Sequence, residues 1–121
     1  GEAGGEIPYT SFIALNSFIS ENQDVLKSFL KALKKAHDFI DNNDEKTVAE
    51  AIVKQFPSTT INSIETSLKN YKKIDSWKKD LQATEESFTR LQDIMENAGE
   101  LQNRVNFNDI VDNSLAKEVF G

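Results

Sequence analysis

The sequence has no cysteine, one histidine and two prolines in 121 residues. Without cysteine there are no disulfides and no thiolate metal sites, and the redox compartment stays open. A lone histidine and the absence of any dense carboxylate cluster leave little for a catalytic or metal centre. Zinc-protease, EF-hand, nucleophile-elbow and phosphate-cradling patterns are all missing. The expectation is therefore a protein that is no enzyme and that needs neither cofactor nor metal. Long apolar runs are lacking as well. Nothing approaches the ~18 residues of a membrane span, and residues 1–20 carry neither the basic region nor the apolar stretch of a signal peptide. Fourteen Lys and Arg stand against twenty Asp and Glu, a net charge of −6. Such a surface repels phosphate backbones, so nucleic acid is not an expected partner. The length holds one domain, or a piece of one.

Glycine is scarce too. There are five, three of them in the first five residues, so breakers are few in the body of the chain and helices should dominate. Residues 1–8 lack an apolar period, and Pro8 biases Ile7 toward extended backbone; this stretch reads as a hinge or linker. Tyr9 to Leu15 concentrates aromatic and β-branched residues over a strand-sized length, which predicts a strand over 9–15.

Between 23 and 42, Val25, Leu26, Phe29, Leu30, Leu33, Ala36, Phe39 and Ile40 recur with a 3.6-residue period, the mark of a long amphipathic helix. Asn42-Asn43-Asp44 supplies a stop and the next N-cap, and a second helix through Val48, Ile52 and Phe56 is closed by Pro57. A third helix is expected from about 60 to 73, capped from Ser58-Thr59-Thr60. Residues 74–80 lose the period and read as a connector with one turn of helix around Trp77. Thr84 caps a fourth helix, and Gly99 stands at its C′ position with Leu101 after it, as in a Schellman end. Residues 105–120 read as one shorter final helix. The fold class expected for the chain is mostly α: one N-terminal strand followed by about five helices.

Several groups are functional candidates by residue type. His37 reads as a half-exposed helical histidine. Glu85 and Glu86 diverge around the helix and are explained as partners of its dipole. Lys27, Lys31, Lys34 and Lys35 read as a solvated face opposite a core stripe, and Trp77 as an anchor for its connector. The start of the chain is different. Its glycines permit both close approach to a bound group and pivoting, while Glu6 offers an acceptor and Tyr9 a hydroxyl with an aromatic face. Hinge and ligand site are both open there, and they are compatible.

Three stretches carry a resemblance: Gly5-Glu6-Ile7-Pro8-Tyr9-Thr10, Tyr71 with Ile74-Asp75-Ser76-Trp77-Lys78, and above all the run from Thr84 to Leu101. In this order they resemble the C-terminal part of bacterial solute-binding proteins of ABC importers, in the branch that includes sulfonate, nitrate and thiamine-pyrimidine-precursor binders. The likeness covers nearly the whole chain, and its most specific part, 84–101, is scaffold. Asn106-Phe107 departs from the Pro-Tyr expected in relatives.

The resemblance implies a parent of α/β fold, a two-lobed periplasmic-binding protein of type II, in which 1–8 is a hinge and 9–121 the C-terminal part of the first lobe. It implies Glu6 and Tyr9 as ligand contacts, a small-molecule ligand for the full-length protein only, an ABC permease in the membrane as partner, and an extracytoplasmic location, periplasmic or lipid-anchored. The isolated chain, missing the surface its helices would cover, is expected to self-associate. The alternative, from helix pattern alone, is a free-standing acidic helical protein-interaction module without small-molecule binding.

Overall fold

A computed structural model describes residues 4–121, so the first three residues of the expected hinge lie outside the described ones. Among the described residues there are seven α-helices: α1 Asn16–Glu21, α2 Gln23–Asn42, α3 Glu45–Ile52, α4 Ile61–Lys73, α5 Glu85–Asn97, α6 Phe107–Ile110 and α7 Ser114–Phe120, with one 3-10 turn at Val53–Gln55 after α3. They fall into two compact units. One is Ser28–Asp80; the other joins the residues up to Lys27 with Leu81–Gly121.

The expected strand over 9–15 is not present, and no strand occurs among the described residues. A strand is held by ladder bonds to a neighbour. Among the described residues no second strand lies alongside 9–15, so its β-rich composition forms no ladder. The segment stays irregular, with Tyr9 and Ile13 each 93% exposed. Directly after it lies a helix that the sequence did not announce. The backbone of Leu15 is extended and that of Asn22 breaks α1 from α2, while the Asn22 side chain donates to the Phe18 carbonyl.

In the Ser28–Asp80 unit, side-chain caps open α3 and α4 where the sequence places them, but α3 ends at Ile52, short of the expected Phe56, and passes into the 3-10 turn. Asn42 and Asn43 donate to the carbonyls of Asp38 and Phe39, stopping α2. The Asp44 carboxylate accepts from Thr47 N–H at 2.7 Å to open α3, and Thr60 accepts from Ser63 N–H to open α4. Val48 and Ala49 of α3 are buried against Ile64 and Leu68 of α4, with Ile40, Ile52, Val53 and Trp77 packed around them. Lys72, at the end of α4, donates to the Asn43 carbonyl and pairs with Glu45, tying α4 to the turn before α3.

The turn of helix expected around Trp77 is absent. α4 ends instead in a Schellman motif: Asp75 takes a left-handed φ of 47°, its N–H reaches the Lys72 carbonyl, and Ser76 N–H reaches that of Tyr71. Trp77 then packs edge-to-face on Tyr71 with ring centroids 5.4 Å apart. The connector is pinned by that ring, as its anchor reading had it.

In the other unit, Thr84 caps α5 through Ser87 N–H. Gly99, at φ 77°, closes α5 with the two Schellman bonds, Gly99 N–H to Glu96 and Glu100 N–H to Met95. The single final helix expected over 105–120 is two helices, α6 and α7. Val111 is extended between them, the Asp112 carboxylate accepts from Ser114 N–H, and the Asn113 side chain is committed to Ala83, donating to its carbonyl and accepting from its N–H. The extended Val111 ends α6, and the bond from Ser114 N–H to Asp112 lets the next turn start as a separate helix.

Leu68 is 4% exposed at the centre of the α3–α4 contact, so Leu68→Ala should lower unfolding free energy by about 2–5 kcal/mol in a urea titration. Gly99 has open space around its Cα. Gly99→Ala should therefore cost only the left-handed backbone, about 1 kcal/mol by the same titration. At Asp44 the hydrogen bonds from Thr47 hold the carboxyl below its ordinary 3.8. The cap's contribution is thus complete above about pH 4 and falls away as pH drops through the folded-state value. Asp44→Asn keeps an acceptor but removes the titration, so its urea midpoint should change less between pH 5 and pH 2 than that of the wild-type protein.

Candidate functional site

Gly5 has a left-handed φ of 75°, which glycine adopts without steric cost. This bend carries the segment 4–8 past α5, where Arg90 meets it. Arg90 Nη1 donates to the Glu6 carbonyl, and Nη2 pairs at 2.7 Å with Glu86, one turn earlier on α5. A Cβ built on Gly5 would lie 3.0 Å from Arg90 Cζ, 3.1 Å from Nε and 3.2 Å from Nη1. The glycine Cα therefore rests on the guanidinium itself.

Both sequence-derived contacts lie on this arm. Glu6 is exposed, with its backbone held by Arg90. Tyr9 is 93% exposed. Beside the arm, Glu85, Glu86, Thr89, Arg90 and Asp93 line a shallow surface groove, and a second one runs between α5 and α6 over Phe88 and Phe107, whose rings meet edge-to-face at 5.8 Å.

α5 also holds the chain that follows it. Gln92 is 7% exposed; its Oε1 accepts from Val105 N–H and its Nε2 donates to the Val105 carbonyl. Arg104 pairs with both Asp93 and Glu96. The hydrogen bond to Glu96, then that to Asp93, raises the guanidinium above its already high ordinary value. Lys27 is raised by the hydrogen bond and charge of Glu118, 2.6 Å away.

The remaining candidates sit where their plain readings put them. His37 is half-buried on α2, with Nδ1 buried and unpartnered. Glu85 and Glu86 occupy the first turn of α5. Lys34 pairs loosely with Asp38, and Lys31 and Lys35 are exposed. No group of three or more His, Asp or Glu with the geometry to hold a metal occurs among the described residues.

Sequence reasoning missed Arg90 and Gln92. The signal for Arg90 was present in its i,i+4 spacing from Glu86. That for Gln92 was a polar residue next to Leu91 on an otherwise apolar face.

A protein of Bacillus subtilis (strain 168) named "Putative binding protein YtlA" is 37% identical to this chain over 119 residues; the alignment takes in 98% of this chain and 36% of that protein. The chain thus spans about a third of the length of that curated relative. No family model matches the chain, and no solved structure matches it.

Gln92→Leu keeps the volume but strands two backbone groups of Val105, which should cost about 1–3 kcal/mol in chemical denaturation.

Proposed function

We propose that this chain is the C-terminal segment of an extracytoplasmic solute-binding protein that captures a small molecule for an ABC importer. The observation that carries this reading is the alignment of 98% of the chain to part of a relative named for binding, along the same residues that carry the resemblance to solute-binding proteins. The ligand class is that of the resembling branch: a thiamine-related pyrimidine, a sulfonate or a nitrate-like oxyanion. Glu6 and Tyr9 are its contacts from this segment, the permease is the membrane partner, and the protein works outside the cytoplasmic membrane.

Surface chemistry supports the reading. Among the described residues the buried apolar side chains are only Val48, Ala49, Ile64, Leu68, Leu115 and Ala116, whereas Tyr9, Phe12, Ile13, Leu15 and Val25 are each more than 60% exposed. Soluble monomers rarely show contiguous apolar patches beyond a few hundred Å². Apolar side chains this exposed are suited to packing against the rest of a longer protein. A ligand enclosed by that longer protein would be desolvated on walls this segment does not supply by itself.

Two measurements test the proposal. In a thermal-shift panel on the full-length protein, one of 4-amino-5-hydroxymethyl-2-methylpyrimidine, taurine or nitrate should raise Tm, by the equivalent of about 2.7 kcal/mol at a hundredfold excess over Kd. The isolated chain should show no shift. Silence of the full-length protein toward all three overturns the solute-binding reading and leaves the helical interaction module. In light scattering coupled to gel filtration, the isolated chain should run above its 13.6 kDa monomer mass; a monodisperse monomer contradicts the account of the exposed face.

A further inference from the structure

We propose that Arg90 is a positioning residue: its guanidinium clamps the Gly5–Glu6 backbone to α5 and thereby fixes where Glu6 and Tyr9 present themselves. The consequence for ligand binding rests on the function proposed above, whereas the clamp itself does not.

Three observations converge on it. Arg90 spends its fork on two partners, donating from Nη1 to the Glu6 carbonyl and from Nη2 to Glu86. Charge-assisted bonds of this kind are stronger than neutral ones, and a planar fork loses little freedom in making two at once. The three heavy atoms nearest to a Cβ built on Gly5 all belong to the Arg90 guanidinium group. Gly5 is therefore favoured twice, once for its left-handed φ of 75° and once because a Cβ there would push the guanidinium aside by a few tenths of an ångström. Finally, Glu86 pairs with the guanidinium from the turn before it on the same helix, which helps to orient the fork toward the arm. Arg90 joins residues 84 positions apart, in a segment where 9–15 forms no regular element. The clamp is the fixed point from which that segment departs.

Limited proteolysis of the full-length protein tests this directly, with chymotryptic cleavage after Tyr9 and Glu-C cleavage after Glu6 followed by mass spectrometry. Arg90→Ala and Gly5→Ala should each speed cleavage about tenfold, because cutting follows the population of the released arm. Arg90→Lys should not restore the wild-type rate, since a point charge cannot replace the planar face. The double variant should be no faster than either single one, as both changes break the same contact. Far-UV circular dichroism should be unchanged in Gly5→Ala, which keeps the test valid even if an Arg90 variant folds poorly.

Unchanged cleavage in both single variants, or rates that multiply in the double one, overturns the clamp. Where the wild-type protein binds the hydroxymethylpyrimidine probe, an unchanged Kd in Gly5→Ala overturns its role in positioning the contacts. Where the wild-type protein binds no probe, the solute-binding reading fails while the cleavage rates still decide the clamp.

Discussion

In the unit built around α5, a few side chains on or beside that helix tie down backbone groups that no helix or strand pairs. Arg90 takes the Glu6 carbonyl, Gln92 takes both groups of Val105, and Asn113 takes both groups of Ala83, just ahead of the Thr84 cap. Each side-chain amide acts like one rung of a missing strand, giving and accepting at a single residue. The seating of the loop after Gly99 and the tie between the arm that bears Glu6 and Tyr9 and α5 rest on these few bonds.

The Ser28–Asp80 unit is held differently. There the irregular stretches are short and each helix end is satisfied locally, by Asn42, Asn43, Asp44 and Thr60. What remains is apolar contact between α3 and α4, with Trp77 closing one side over Tyr71. Lys72 and Glu45 add a half-exposed pair across the two helices; pairs of that exposure contribute little by themselves. Their geometry matters more for fixing how α4 meets the turn at Asn43.

Neither unit buries many large side chains, and that sparseness bears on function. Helices with apolar faces and few covered residues are suited to completing a larger assembly. The candidate ligand contacts lie on the irregular arm, where residues can move with a neighbour while one peptide stays fixed on Arg90.

The sequence by itself determined the local features. The helix of 23–42, the caps at Asp44, Thr60 and Thr84, the Gly99 end and the anchoring ring of Trp77 were all legible, because each depends on residues within a turn or two of itself. Glu6 and Tyr9 were candidates by residue type alone, and their surroundings came only with the fold. Tertiary structure decided the rest. The β-rich composition of 9–15 gives no strand because a strand is a property of two segments, and none pairs with this one. The final helix is broken at Val111, whose extended backbone ends α6, and the Asn113 side chain there reaches Ala83, 30 residues away. Arg90 looked like scaffold until the fold carried Gly5 against it. Periodicity and capping are written in neighbouring residues, whereas the partner of a distant carbonyl is settled only when the chain has folded back on itself.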